Sequence, residues 1–186
     1  MFMYTYNEAV EQSIKTFDEW KKVPAPVRGE LVRVFGDALR ARKETIAQTI
    51  TETMFKTIRE SRGEVQEAID MCDFAVGLSR QLYGVTMPSE RPNHRLQELW
   101  LPLGPVGVIT AFNFPCAVWA WNFCLAAICG NTVLWKPSNK SPLVANLMDG
   151  AWKEACNIVN MRNYANVSIV LEDDVETGKM LAADER

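Results

Sequence analysis

The chain has a single histidine, His94, and no pair of cysteines spaced as CxxC. A Ser-His-Asp site needs a histidine beside its nucleophile, so one histidine argues against that class of hydrolase. We expect His94 on an exposed loop. The five cysteines also lack the paired spacing of a structural zinc site, so we predict no metal centre. We interpret them as reduced, mostly buried thiols of a cytoplasmic protein: Cys72, Cys116, Cys124, Cys129 and Cys156.

Concentrated positive charge is missing as well. The formal net charge is -3, and the lysines and arginines of the first hundred residues are mixed with acids. No basic stripe is therefore available to a nucleic acid. The first residues, Met1 to Tyr4, lead directly into acidic, amphipathic sequence and do not resemble a secretory signal. We predict a protein that binds neither nucleic acid nor membrane.

Charge of either sign is absent from Leu99 to Trp135. Prolines, glycines and Asn131 divide this segment. Its longest helical stretch, Pro115 to Cys129, is about 15 residues, shorter than the roughly 20 that a membrane span needs. The segment therefore indicates a buried core of strand, turn, helix and strand.

Hydrophobic spacing predicts the remaining elements. Helices are predicted over 5–20, 26–42, 43–55 and 63–83, then a loop at 84–90 and a strand exposed on one side at 95–101. Strands at 106–110, 132–135 and 167–171 alternate with helices at 115–129, 141–155 and 175–183. This alternation indicates a parallel sheet. The predicted fold class is α/β, with a helical N-terminal layer followed by part of a Rossmann-like parallel sheet. No flexible linker divides the helical layer (5–85), the exposed strand (95–103) and the β-α-β-α-β-α region (105–186), so we predict one domain.

Two polar residues lie at predicted carboxyl ends of strands, where open α/β sheets bind ligands. Asn113 fits a helix N-cap, but its side-chain amide would also suit an oxyanion in a dry pocket. Lys136 fits a solvated strand end, but it would also suit the ribose or phosphate of a nucleotide. Neither GxGxxG nor GxxxxGK[ST] occurs. Motif reasoning alone therefore leaves a nucleotide-binding α/β domain, with or without enzymatic activity.

Two longer segments are more specific. Pro102–Pro115 (PLGPVGVITAFNFP) and Gly130–Ser138 (GNTVLWKPS) resemble the signature of NAD(P)-dependent aldehyde dehydrogenases. Four shorter segments are similar to the α-aminoadipic semialdehyde dehydrogenase (antiquitin) branch of that family: Pro24–Leu31, Gly63–Glu67, Cys72–Arg80 and Pro88–Arg91.

The resemblance implies an enzyme that oxidises an aldehyde to an acid through a thiohemiacetal, with NAD as cofactor and NADP possible. The substrate it implies is α-aminoadipic semialdehyde, an intermediate of lysine catabolism. A homo-oligomer is implied for the full-length protein. By the same resemblance, Asn113 is the oxyanion-hole residue, Lys136 holds the adenosine ribose, Trp121 lines the substrate tunnel and Glu67 faces the substrate's charged end. Backbone positions beside the nicotinamide are Thr110, Ala111 and Phe112, and positions near the ribose are Ser138 and Asn139. Many relatives have a glutamate in place of Asn139, so the resemblance leaves NAD or NADP preference open.

The family's later motifs do not occur in the sequence. These are a Gly-Ser turn at the pyrophosphate, a general-base glutamate in Leu-Glu-Leu-Gly-Gly and a nucleophilic cysteine in Gly-Gln-x-Cys. We therefore expect the catalytic domain to be absent and this chain alone to be inactive, since a thiolate is the nucleophile. We also expect uncovered apolar surface that favours association. The alternative is a non-catalytic remnant that binds nucleotide or pairs with another subunit.

Overall fold

The structure is a computed structural model that describes residues 4–186. Met1–Met3, on which part of the prediction about a secretory signal depends, lie outside the described residues. The elements follow in chain order: α1 Tyr6–Trp20, α2 Ala25–Met54, α3 Ile58–Leu78, β1 Thr86–Pro88, β2 Arg95–Gln97, β3 Pro105–Ile109, α4 Ala117–Ile128, β4 Thr132–Lys136, α5 Pro142–Ile158, β5 Ser168–Val170 and α6 Val175–Ala183. A 3-10 helix, Arg162–Val167, precedes β5. No helix within residues 4–186 combines the length and the apolar character that a bilayer crossing requires.

The second and third predicted helices form one continuous helix, α2. The predicted break between Arg42 and Lys43 is wrong because neither glycine nor proline interrupts the helix there. Ile46 and Ile50 extend the buried stripe of Leu39 beyond this point. The helix ends where Phe55 adopts the left-handed conformation, with φ of 56°.

Helix α3 begins at Ile58, five residues before the predicted start, and ends at Leu78 instead of Tyr83. A capping box explains the early start. The Thr57 hydroxyl accepts from the backbone N–H of Glu60 at 3.3 Å, and the Glu60 carboxylate accepts from the backbone N–H of Thr57 at 3.1 Å. Only Phe55, Lys56 and Thr57 therefore separate α2 from α3.

The predicted loop at 84–90 contains a short strand, β1, which pairs antiparallel with β2. The strand predicted at 95–101 is only three residues long, and its residues are exposed on both faces. The prediction of a buried face is wrong, because this two-stranded ribbon has no covering layer in the part of the chain that the structure describes. His94 lies exposed in the turn between the two strands, as predicted.

The other three strands form a parallel sheet, as predicted, in the order β3-β4-β5. Strand β4 is central and buried at its first four residues. Helix α4 begins at Ala117, two residues after the predicted start, since Pro115 and Cys116 still belong to a turn.

Aromatic side chains fill the space between the sheet and the helices. The Trp119 ring stacks on Phe123 at 4.6 Å and on Trp135 at 4.5 Å between centroids. Phe35 of α2 meets Trp119 and Trp152 edge-on at 5.9 and 5.8 Å. Trp119 is therefore a core residue, and α2 shares a core with the sheet and its crossover helices.

Candidate functional site

The two predicted polar positions lie at the same edge of the sheet. Parallel pairing of β3 with β4 sets Ile109 opposite Lys136, so the segments after both strands start side by side. The backbone N–H of Thr110 donates to Lys136 O at 3.1 Å. The indole N–H of Trp135 donates to the buried Thr110 hydroxyl at 2.9 Å. These bonds fix where the loop that carries Asn113 begins.

Asn113 is exposed in this loop, together with Ala111, Phe112 and Phe114. It is not the cap of α4, because Cys116 occupies the N-cap position. Among residues 4–186 the Asn113 side-chain amide has no hydrogen-bond partner, and only its backbone carbonyl is bound. The structure therefore contradicts the N-cap interpretation and leaves the amide available to a ligand.

A pocket of about 460 Å³ opens between this loop and the start of α3. Its wall includes Asn113 and Glu67, so the structure brings these two predicted site residues together. Trp121 is half-buried on α4 and lies outside this wall. The complete lining is Met54, Lys56, Glu60, Gly63, Glu64, Glu67, Phe112, Asn113 and Phe114.

Lys136 is half-buried at the end of β4, with its stem lying against α6. A Cβ at Gly178 would lie 3.6 Å from Lys136 Cε, so the glycine leaves room for this stem. In the described part of the chain the Lys136 ammonium has no acidic partner. Ser138 and Asn139 follow directly, half-buried and exposed respectively. An unpaired ammonium with a hydroxyl and an amide at one strand end is a donor set that fits ribose hydroxyls.

The loops after β3 and β4 also contact each other. The Lys140 ammonium lies 4.4 Å from the centroid of the Phe112 ring, a cation–π distance. The loops that carry the nucleotide-binding and oxyanion-binding candidates are therefore in contact at one edge of the sheet.

Sequence reasoning missed two residues of this site, Lys56 and Glu64. Their ammonium and carboxylate are 2.6 Å apart, with side chains 17% and 0% exposed. The capping box at Thr57 could have indicated that α3 begins early and carries Glu64 in its second turn. Nothing in the local pattern indicates that Lys56 reaches the Asn113 loop.

The cysteine nearest to Asn113 along the chain is Cys116, which is fully buried. Burial is the main reason that the pKa of this thiol is well above its usual value, and the nearby charge of Glu64 raises the pKa further. Its Sγ lies 3.4 Å from the sulfur of Met148. A protonated, inaccessible thiol does not act as a nucleophile. The described residues also contain no cluster of His, Cys, Asp and Glu suited to a metal ion.

Comparison with known proteins gives matches over nearly the whole chain. The family model described as the aldehyde dehydrogenase family matches residues 4–186. Aldehyde dehydrogenase family 7 member B4 of Arabidopsis thaliana is 47% identical over 184 residues, which cover 96% of this chain and 36% of that protein. Alpha-aminoadipic semialdehyde dehydrogenase of Bos taurus is 50% identical over 143 residues, covering 77% of this chain and 26% of that protein.

A solved structure shows the same fold. Glyceraldehyde-3-phosphate dehydrogenase GapN from Methanocaldococcus jannaschii, complexed with NADP, superimposes with a TM-score of 0.90 at 25% identity. The superposition covers 97% of this chain and 39% of that protein. These matches confirm the predicted α/β fold class and the resemblance drawn from the two long motifs. The chain spans about a third or less of the length of these two curated relatives.

Proposed function

The chain belongs to the aldehyde dehydrogenase family, and on that premise we propose that it supplies the cofactor-binding edge and the oxyanion donor for NAD(P)-dependent oxidation of an aldehyde to a carboxylic acid. One observation carries the proposal. The parallel register places the loop of Asn113 directly beside the strand end of Lys136.

Each residue has a role that its position supports. The Asn113 amide N–H groups would donate to the substrate oxygen as negative charge develops there. The Lys136 ammonium, with Ser138 and Asn139, would hold the adenosine ribose. Backbone groups of Thr110, Ala111 and Phe112 would lie beside the nicotinamide. NAD(P), when bound, is the hydride acceptor. Asn139 is uncharged and would not repel a 2′-phosphate, so the proposal includes NADP as well as NAD.

The substrate we propose is α-aminoadipic semialdehyde, which would place the protein in lysine catabolism. The name of the cattle relative supports this choice. The pocket supports it too, since Glu67 and Glu60 line its wall and would attract an ammonium group while Phe112 and Phe114 cover a carbon chain. The half-buried Trp121 would line the substrate's path from α4, as the resemblance implies.

Oxidation needs a thiolate, and Cys116, the cysteine nearest to Asn113 along the chain, does not offer one because it is buried with a raised pKa. We propose that the chain alone binds nucleotide without turning over aldehyde. A cytoplasmic location and homo-oligomerisation of the full-length protein belong to the same proposal. Nucleotide binding or subunit pairing without catalysis is the second candidate function, and the buried Cys116 favours it for the isolated chain.

Calorimetric titration of the chain with NAD and with NADP tests the first part. We expect Lys136→Ala to weaken binding at least tenfold, because the donor to the ribose is lost. Lys22→Ala is the matched control, since that lysine forms an exposed pair with Glu19 far from the edge of the sheet. Equal affinity of Lys136→Ala and wild type would contradict the assignment. Reduced-cofactor absorbance with α-aminoadipic semialdehyde tests the second part, and turnover within tenfold of an intact relative would overturn it.

A further inference from the structure

We infer that Lys56 and Glu64 are positioning residues that fix the Asn113 loop, and this inference rests on the proposed role of Asn113 as oxyanion donor. Neither residue would touch the substrate oxygen in this scheme. They act on the backbone of the loop from α3 and from the turn that precedes it.

Glu64 holds the end of the loop. One carboxylate oxygen accepts from the backbone N–H groups of Cys116 at 2.8 Å and Ala117 at 3.3 Å. These are N–H groups at the start of α4, where the helix offers no partner of its own and its dipole favours negative charge. A carboxylate from another helix therefore caps α4, and Asn113 is free of that task.

Lys56 holds the middle of the loop. Its ammonium donates to the second carboxylate oxygen of Glu64 at 2.6 Å and to the backbone carbonyl of Asn113 at 3.0 Å. It also lies 4.1 Å from the centroid of the Phe114 ring. The Lys56 ammonium thus links the Glu64 carboxylate to Asn113 and Phe114 of the loop.

Lys56 has two tasks. It supplies the positive charge that the fully buried Glu64 carboxylate needs, and the same ammonium reaches the loop. The lysine adds a direct bond to Asn113, whose side chain remains available. Oxyanion stabilisation depends on donors that are in place before charge develops, and a displacement of about 1 Å can cost on the order of 100-fold in rate. The bond from Lys56 to the Asn113 carbonyl holds the donor residue in place before the charge develops.

The left-handed turn at Phe55 sets the lysine in this position. Phe55 ends α2 with φ of 56°, and the residue is 93% exposed. The Thr57 capping box then starts α3 immediately. Lys56 lies between these two fixed points, so its backbone has little freedom to move away from the loop.

Backbone 15N relaxation of the 186-residue chain tests the inference. In Lys56→Met we expect the order parameters of Asn113 and Phe114 to fall from about 0.85 to below about 0.6. Lys56→Arg should restore them, because a guanidinium can reach both oxygens. Lys43→Met is the matched control, since Lys43 donates to Gln66 of α3 on an exposed surface. It should leave both order parameters unchanged.

Two further variants separate the parts of the network. Glu64→Gln keeps an oxygen for Cys116 and Ala117 but loses the charge that holds Lys56, so those amides should stay protected from exchange while Asn113 loosens. Asn113→Ala should keep the loop ordered, because the bond from Lys56 ends on the backbone. Unchanged order at Asn113 in Lys56→Met, or equal loosening in Lys43→Met, would overturn the inference. If Lys56→Met does not fold, Glu64→Gln decides in the same way. Nucleotide titration is independent of these measurements, so a failure of the proposed function would be seen separately.

Discussion

Two loops border the same edge of the sheet, and they are held in different ways. The hydrogen bonds that hold the loop after β4 come from its own residues, although Lys140 also contacts Phe112 of the other loop. The Ser138 hydroxyl accepts from the backbone N–H of Lys140 at 3.2 Å, and the Ser138 carbonyl accepts from that of Ser141 at 3.0 Å. The loop after β3 is held by residues remote in sequence, with Lys56 and Glu64 as its main contacts. The cofactor candidate therefore depends on local chemistry, and the oxyanion candidate depends on tertiary structure.

The largest expected loss of stability comes from removing the carboxylate of Glu64. Glu64→Ala would leave the buried N–H groups of Cys116 and Ala117 without their acceptor and the partly buried Lys56 ammonium without its counter-charge. We expect the free energy of unfolding to fall by about 3 kcal/mol. Urea denaturation measures it. Glu44→Ala is the control, because its pair with Arg62 is exposed and should contribute at most about 0.5 kcal/mol. Similar losses in both variants would mean that the contacts of Glu64 contribute no more to stability than an exposed ion pair.

A smaller effect is expected at the start of the same loop. Thr110→Val has nearly the same shape but leaves the buried indole N–H of Trp135 without its acceptor. We expect a loss of about 2 kcal/mol in the free energy of unfolding. Thr49→Val removes a hydroxyl that bonds only within α2 and should cost less than about 0.5 kcal/mol. A neutral Thr110→Val would show that this bond does not anchor the loop.

The smallest effect is expected in the locally built loop. Ser138→Ala removes one half-buried acceptor, so we expect about 0.5 kcal/mol in denaturation experiments. The relaxation of Asn113 and Phe114 should not change, because no contact of Ser138 reaches them. Loosening of Asn113 in this variant would show that the two loops are one unit, and the comparison between them would fail.

The same difference explains what could be predicted from the sequence. The strand ends at Ile109 and Lys136 were predicted to within one residue, because β-branched runs, prolines and glycines mark strands and turns along the chain. The position of Asn113 in a loop after a strand was predictable for that reason. That Asn113 does not cap α4 was not predictable, since Glu64, 49 residues before Asn113 in the sequence, caps the helix instead.

The helical region shows the same limit. The stripe of apolar residues in α2 was visible, but periodicity alone did not show that the helix continues past Arg42. Of the hairpin, the strand β2 was predicted but its partner β1 was not. The predicted buried face of β2 was wrong, because burial depends on which elements cover a strand and not on the alternation of apolar and polar residues along it. Local signals fix where elements begin, while contacts between distant elements decide how the candidate site is held.

The central claim is that this edge of the sheet binds the cofactor beside the oxyanion donor. Adding NAD or NADP to the 15N-labelled chain and mapping the backbone amide shifts tests it directly. We expect the largest changes in two segments, residues 110–113 and residues 136–139, with little change in the hairpin. Saturable binding with shifts confined to other parts of the chain, or no shifts at millimolar nucleotide, would contradict the account.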